Sequence, residues 1–546
     1  MIKRARPLAA AAVLSTLGAA LALVPTPAQA ATAVPAAAVT TADPTDPVPL
    51  PVDPADITPE VATRTLERAQ AAVEGDLVDP ATGEVESPTL ALRDLFRAKP
   101  RLGGAELAEA ERLLARPTDG AADPGQDGYP TNAPVTKGCQ TNVCVHYRAV
   151  ERDATPAEQA EQTAAGHATD VWAAQTLRTL QDVWNYETRT QSYRGPAPDG
   201  TRGGNAKFDV YLTDLASQGV YGYCMPEAYA DESGMRATSY CVLDNDYAEF
   251  PDTPLNSLRV TAAHEFFHAI QFNYDVNEDG WLYEATATWM EEQYAPEVDD
   301  NQQYLPDGQL GDPSVPMDVF GDSSYGNWLF FEYLTQRFGP RIVRTTWEAA
   351  AGATGTDYHS LVALKFALYY SRDVNGARGE YGQEYAGFGA ANQLPGFFYR
   401  DGRDYGAAPN DGYVTMPPGR SFGSTLAMRQ QTTRSVRLDV SPAATGQRTR
   451  LRFQFTTPPS ATTPGAYVAV YDAAGRVQRI PLRLTAGSTT VVLPFTTGQV
   501  RRVYVTFANA SSRMACGEGD EVERACYGYP LDNGVQVRWT ARAERY

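Results

Sequence analysis

Apolar positions in residues 60–116 recur three and four apart: Val61, Leu66, Ala69 and Val73, then Leu90, Leu92, Leu95 and Phe96, then Leu107 with Leu113 and Leu114. That period predicts helices, each with one buried face. Residues 135–425 mix two periods. Val143–Tyr147 and Phe208–Leu212 alternate as strands do, while residues 156–188 place Val171, Trp172, Leu177, Leu180, Val183 and Trp184 at helical spacing. Further helical runs fall at 256–274, 281–294, 325–338 and 359–371. From residue 424 strict alternation takes over, at Val436-x-Leu438-x-Val440, Leu451-x-Phe453-x-Phe455, Val468-x-Val470, Val491-x-Leu493-x-Phe495 and Val503-x-Val505-x-Phe507. Short alternating runs separated by turns such as Ala474-Gly475 predict an antiparallel β-sandwich. The pattern therefore reads as an N-terminal helical segment, an α+β middle and a C-terminal antiparallel β-sandwich.

Two stretches break the pattern. Residues 31–59 are Ala, Thr, Pro and Asp with almost no large apolar side chain, which predicts a flexible linker, and Pro117–Pro130 is a second Gly/Pro/Asp break. Ahead of the linker, residues 1–30 have the grammar of an export signal: Lys3-Arg4-Ala5-Arg6, an Ala/Leu stretch ending at Pro25, and Ala28-Gln29-Ala30 as a cleavage site. The expected organisation is a signal peptide at 1–30, a disordered linker at 31–59, a helical segment at 60–130, a catalytic region at 131–423 and the sandwich at 424–546. Residues 60–130 are either a propeptide removed after export or a permanent subdomain, and the pattern alone leaves both open.

Composition narrows the function classes. Hydrophobic residues are 43% and charged residues 21% of the 546, ordinary globular values. The net charge of −20, −23 once the leader's three basic residues are gone, opposes binding to nucleic acid. No second apolar run is long enough to span a membrane, so a secreted, extracellular protein is expected. The six cysteines fall in three local pairs, 139 with 144, 224 with 241 and 516 with 526, which read as short-loop disulfides in an oxidising compartment.

Only five histidines occur, and two stand in His264-Glu265-Phe266-Phe267-His268, an H-E-x-x-H motif. On a helix, positions i and i+4 share a face, so both imidazoles can reach one ion while Glu265 projects beside its open side. Pro254 marks the helix start, with Asn256 or Ser257 as the expected cap. A catalytic zinc takes three protein ligands and keeps the fourth position for water, so one more ligand is needed. After the polar turn 275–280 the chain resumes as Trp281-Leu282-Tyr283-Glu284-Ala285-Thr286-Ala287-Thr288-Trp289. Glu284 is the expected third ligand, beside an apolar stripe of Trp281, Ala285 and Trp289. Glu291 and Glu292, further on, are expected to be solvated.

H-E-x-x-H followed by W-L-x-E-A-x-A-x-W resembles the gluzincin class of zinc metallopeptidases, the group that includes thermolysin-like enzymes. More narrowly, with cues in Val145-His146-Tyr147, Phe208–Tyr211 and Asp244-Asn245-Asp246, it is similar to a family of secreted bacterial proteins assigned as metalloproteases from sequence alone. The resemblance covers about residues 140–370. It implies an α+β zincin-like catalytic domain, one Zn2+ per chain held by His264, His268 and Glu284, and Glu265 as general base and proton shuttle for peptide-bond hydrolysis. Tyr325, in Ser324-Tyr325-Gly326-Asn327-Trp328, resembles the tyrosine that some gluzincins set opposite the metal as an oxyanion donor. Two departures stand out: only fifteen residues separate His268 from Glu284, and Thr288 stands where thermolysin-like enzymes often carry an Asp that orients a ligand histidine.

Other signals carry less. Asp275-x-Asn277-x-Asp279-Gly280 matches the first half of a calcium loop, which makes Ca2+ a second candidate ion, but Thr286 occupies the position where an EF-hand needs Glu. Gly419-Arg420-Ser421-Phe422-Gly423 spells a nucleophile elbow, yet no histidine follows His359 to complete its triad. His146, His167 and His359 have no partner pattern and are expected to be structural or exposed. The expected partner is a protein or peptide substrate, cut internally, with Phe208–Leu212 as the edge strand along which it lies. The competing function is an extracellular surface- or polymer-binding protein whose sandwich holds the ligand and whose metal site is structural or degenerate. Substrate specificity and oligomeric state are not legible in the sequence.

Overall fold

A computed structural model of the chain describes residues 50, 53–78, 87–119, 129–130, 133–352, 358–519 and 522–546. The signal expected at 1–30 and most of the linker expected at 31–59 lie outside the described residues. Helices α1 (Pro59–Val73), α2 (Pro88–Ala98) and α3 (Gly104–Leu113) come first. Thr58 and Ser87 cap α1 and α2, each followed by a proline whose missing N–H costs nothing at a helix start. The end of the linker packs, contrary to expectation: Leu50 and Ile57 are buried in the main core, and Arg101 donates to the carbonyls of Pro54 and Ala55. One isoleucine in a Pro/Asp run carries no period, so composition gave no sign of this contact.

Strands β1 (Thr136–Cys139) and β2 (Val143–Ala149) form a hairpin. They are followed by α4 (Pro156–Ala164), β3 (His167–Ala168), α5 (Asp170–Asn185), β4 (Phe208–Thr213), β5 (Gly222–Tyr229) and β6 (Ala237–Asp244). The sheet runs β1-β2-β4-β6-β5, with β3 beside β2. β2, β4 and β6 are parallel, and β5 returns antiparallel to β6 at the edge. Phe208–Leu212 is therefore not an edge strand. Every residue of β4 is buried between β2 and β6, as a central parallel strand covered on both faces should be.

Seven helices follow: α6 (Pro254–Phe272), α7 (Gly280–Tyr294), α8 (Asp322–Gly326), α9 (Trp328–Phe338), α10 (Arg341–Ala350), α11 (Ser360–Tyr370) and α12 (Tyr381–Asn392). The cap of α6 is Thr253, whose Oγ1 accepts from the Asn256 amide at 3.4 Å, so the cap lies three residues ahead of Asn256 and four ahead of Ser257. α6 packs against β5, β6, α5 and α7. Gly222 permits the approach of β5: a Cβ there would lie 2.8 Å from Leu243 Cδ2 and 3.0 Å from Thr261 Cγ2 on α6.

The C-terminal strands are β7 (Gly412–Met416), β8 (Ser421–Met428), β9 (Thr432–Val440), β10 (Thr449–Thr456), β11 (Pro464–Asp472), β12 (Val477–Pro481), β13 (Ser488–Pro494), β14 (Val500–Asn509), β15 (Met514–Cys516), β16 (Gly528–Pro530) and β17 (Val535–Arg545). They build sheets of order β13-β10-β17-β8 and β12-β11-β14-β9-β7, with β15 and β16 as a separate pair. The two larger sheets share one core, in which Phe453 and Phe455 of one meet Phe507 of the other at 6.3 and 4.9 Å between ring centroids. Pairing is antiparallel except for β7 with β9, and the strands begin at Gly412 rather than residue 424. Gly419–Gly423 falls in a turn and the start of β8.

Helix α12 lies on the five-stranded sheet, so closely that a Cβ on Gly465 would collide with the Gly382 carbonyl. Three disulfides join Cys139 to Cys144, Cys224 to Cys241 and Cys516 to Cys526. The last lies beside the start of α7, where the Cys526 amide donates to Asp279 Oδ1 at 2.6 Å. Among the described residues, no helix is long and apolar enough to cross a membrane.

Candidate metal centre

α6 presents His264 and His268 on one face, and α7, packed against it, presents Glu284. Their ligand atoms all lie within 4.8 Å of one another. Glu284 Oε2 is 3.2 Å from His264 Nε2 and 3.5 Å from His268 Nε2. A tetrahedral zinc with bonds of about 2.0–2.2 Å sets its ligand atoms roughly 3.4 Å apart, so the spacing fits that ion. The chemistry fits too: His268 Nε2 is fully buried and has no hydrogen-bond partner among the described residues, an expensive state for a ring nitrogen unless something else engages it.

The outer nitrogens of both imidazoles are held. His264 Nδ1 lies 2.7 Å from Glu291 Oε1, and His268 Nδ1 lies 2.6 Å from Gln271 Oε1. Gln271 is fixed in turn, its amide nitrogen donating to the Tyr283 carbonyl and to Thr286 Oγ1. Glu291 is thus buried, not solvated, and it does for His264 what Thr288 cannot. Glu291 follows Glu284 by seven residues, two helical turns on the same face, a signal available in the sequence. Glu292 is buried as well and pairs with Arg400.

Charge in the site follows from burial and these contacts. Burial alone would raise Glu284, but the charge of His268 close by and the hydrogen bond from His264 bring it down to about 2. Burial pushes Glu291 up to about 7, against the pull of its bond to His264. Burial disfavours a charged His264, yet its bonds to Glu284 and Glu291 raise it well above the ordinary range. Glu265 is raised by burial, less so for the nearby histidines and a hydrogen bond from Thr89 Oγ1 at 3.1 Å. Nothing local to α6 signals Thr89, which reaches the site from α2.

His264, Glu265 and Glu291 line a cavity of about 420 Å³, with Tyr325 on its wall. The Tyr325 ring stacks over His264 at 6.2 Å. Val220, Tyr221 and Gly222 supply the wall leading into β5, and Glu249, Asp300, Asp307 and Asp322 add acid, with no lysine or arginine among the described lining residues. Behind His264, a single π-helical turn at Tyr186–Thr190 ends α5 and carries Glu187. Its carboxylate is wholly buried, without a hydrogen-bond partner among the described residues, and burial raises its pKa far above the ordinary carboxylate range.

The other polar clusters are committed to structure. In the turn 275–280, Asp275 Oδ1 accepts from the Asn277 amide, Glu278 Oε1 from the Asp279 and Ser360 amides, and Asp279 from Cys526 and Ser360, so the acids expected for Ca2+ face protein donors. Asp244 accepts from the amides of Leu215, Ala216, Asp246 and Tyr247. His146 is buried against Asp209 at 2.7 Å, and His359 lies beside the Cys516–Cys526 disulfide, whose sulfurs are already bonded.

Residues 253–357 match the model of a family of unknown function, DUF6055. The match spans α6 to α10 and so contains His264, Glu265, His268, Glu284, Glu291 and Tyr325. No curated protein matches the chain. Among solved structures, a family GH115 4-O-methyl-α-glucuronidase with specificity for decorated arabinogalactans aligns at 10% identity and a TM-score of 0.13, over 65% of this chain. The chain spans 54% of that structure's length, and at this TM-score the likeness carries no argument about fold or activity.

Proposed function

We propose that the protein is a secreted zinc-dependent peptidase with a gluzincin-like site. The observation that carries this reading is the convergence of His264 Nε2, His268 Nε2 and Glu284 Oε2, with Glu265 on the wall of the adjoining cavity. A structural zinc is enclosed by four protein ligands, usually including Cys or His; here three converge beside a cavity and all six cysteines are in disulfides. Zinc bound by this triad supplies Lewis acidity, bringing the ionisation of a water toward neutrality and polarising a carbonyl.

The chain's own residues then have distinct tasks. Glu291 and Gln271 hold the imidazoles so that their Nε2 atoms face inward. Glu265 takes the proton of the attacking water and returns it to the leaving amine. Tyr325 donates its hydroxyl to the oxygen on which charge develops. The three disulfides suit an oxidising, extracellular setting.

The test is metal analysis of the purified protein together with cleavage of an unbiased peptide library, with and without chelator. One zinc per chain and chelator-sensitive internal cuts, abolished in Glu265→Gln with zinc retained, support the reading. Absence of zinc, or cleavage unaffected by Glu265→Gln, overturns it.

A further inference from the structure

The open edge of β5, the strand nearest the site, is occupied by the protein itself. Cys224, across from Cys241 in the β5–β6 pair, turns its N–H away from β6 and donates it to Thr89 Oγ1 at 3.0 Å. The same hydroxyl donates to Glu265 Oε2 at 3.1 Å. One threonine therefore spans the strand edge and the expected general base. Further along α2, the Phe96 ring meets Tyr229, the last residue of β5, at 4.8 Å. Helix α2 runs beside β5 from Cys224 to Tyr229.

Nothing about α2 has the character of a removable cover. All eleven of its residues are buried. Arg93 pairs with Asp94 at 2.7 Å, donates to the Glu278 carbonyl at 2.9 Å and lies over the Tyr283 ring, while Arg97 donates to Asn277. These guanidinium groups line one small polar pocket with Asp94, Glu278, Asp279 and Glu523. Further on, Arg116 binds Asp199, Asp209 and Glu227 at 2.6–2.7 Å, three carboxylates of the catalytic region. Cleavage that released residues 60–130 would leave both sets of acids without these cations.

On the peptidase reading above, we infer that the segment from Ser87 to Arg116 is a permanent part of the working enzyme and that Thr89 is a positioning residue for Glu265. The hydroxyl fixes one carboxylate oxygen, so the other is presented to the cavity. An extended substrate cannot pair with β5 beyond Gly222 and lies instead along the wall at Val220–Gly222.

The experiment compares wild type, Thr89→Val and Thr89→Ser in the full secreted chain, by intact mass, zinc content, thermal midpoint, kcat and KM. The expected active species has a mass that includes residues 87–116. Thr89→Val, with zinc retained, should lose about tenfold or more in kcat at little change in KM, as a misplaced catalytic group does, and Thr89→Ser should recover most of it. An active species beginning after residue 119 overturns the inference, as does a Thr89→Val variant as fast as, or faster than, wild type. Loss of folding in Thr89→Val leaves the intact mass and the Thr89→Ser kinetics to decide, and a Thr89→Ser enzyme impaired as far as an inactive one overturns the positioning role. A wild type with no chelator-sensitive cleavage is a different failure, that of the peptidase reading; the intact mass still decides whether the segment is retained.

Discussion

His264 Nδ1 and Glu291 Oε1 meet at 2.7 Å, a contact between two helices that fixes which nitrogen of the ring faces Glu284. Outer partners of this kind typically contribute 10–100-fold to metal affinity. Glu291→Ala should therefore weaken zinc binding by about 10–100-fold, measured by competition with a chelator of known affinity. Unchanged affinity would show that the contact is incidental.

Tyr325 stacks over His264 on the cavity wall, where a donor can meet developing negative charge. Tyr325→Phe keeps the ring and removes the hydroxyl. The expected result is a fall of roughly 10²–10³ in kcat with KM and zinc content preserved, since oxyanion donors act chiefly in the transition state. Steady-state kinetics on the best library peptide read it; an equal rise in KM at constant kcat would assign the tyrosine to substrate binding instead.

On the peptidase reading, the acidic cavity wall should favour positively charged substrates. Peptides with Lys or Arg near the cut should be hydrolysed with higher kcat/KM than acidic ones, by about tenfold at low salt, and the gap should narrow as ionic strength approaches 0.15 M, where the Debye length is about 8 Å. Asp307→Asn and Asp322→Asn should narrow it as well. A salt-independent preference would locate the selectivity in shape.

Glu187 offers a pH test on stability. Burial raises its folded-state pKa, whereas the unfolded chain ionises it near its ordinary value of about 4.3. Between those values the native state carries the extra proton, so its stability falls as pH rises. Glu187→Gln removes that dependence. Its thermal midpoint relative to wild type should increase from pH 4.5 to pH 8; a difference constant across that range would mean the carboxylate is already charged in the fold.

Arg116 is the buried cation among Asp199, Asp209 and Glu227. Arg116→Met leaves three carboxylates to share His146 and Arg202. A loss of about 3–5 kcal/mol in urea unfolding is expected, the usual cost of breaking a buried pair from one side.

What could be read in advance depended on how local the determining contacts are. His264, His268 and Glu284 lie on adjacent helices at spacings the α-helix itself defines, and the structure brings all three together. Glu291 was equally within reach of helical periodicity, but two adjacent acids near a helix end look like a solvated terminus unless the neighbouring element is known. Thr89 could not be found this way, because it lies 176 positions before Glu265 and only the fold makes them neighbours. The short strand Gly412–Met416, running into Pro417-Pro418, has too few alternations to stand out, so the sandwich starts earlier than its pattern suggests. The fate of Phe208–Leu212 has a similar cause: five alternating residues mark a strand but not its neighbours, and its central place depends on β2 and β6.

The amide of Cys526 donates to Asp279 at the threshold of the helix bearing Glu284. A chain synthesised amino end first presents His264 and His268 long before Cys526. A late-arriving segment thus anchors the start of a helix made 247 residues earlier. The site is complete only once that late segment is in place, and a polypeptide shortened by its final strands would carry His264, His268 and Glu284 without the bond that holds the start of the Glu284 helix.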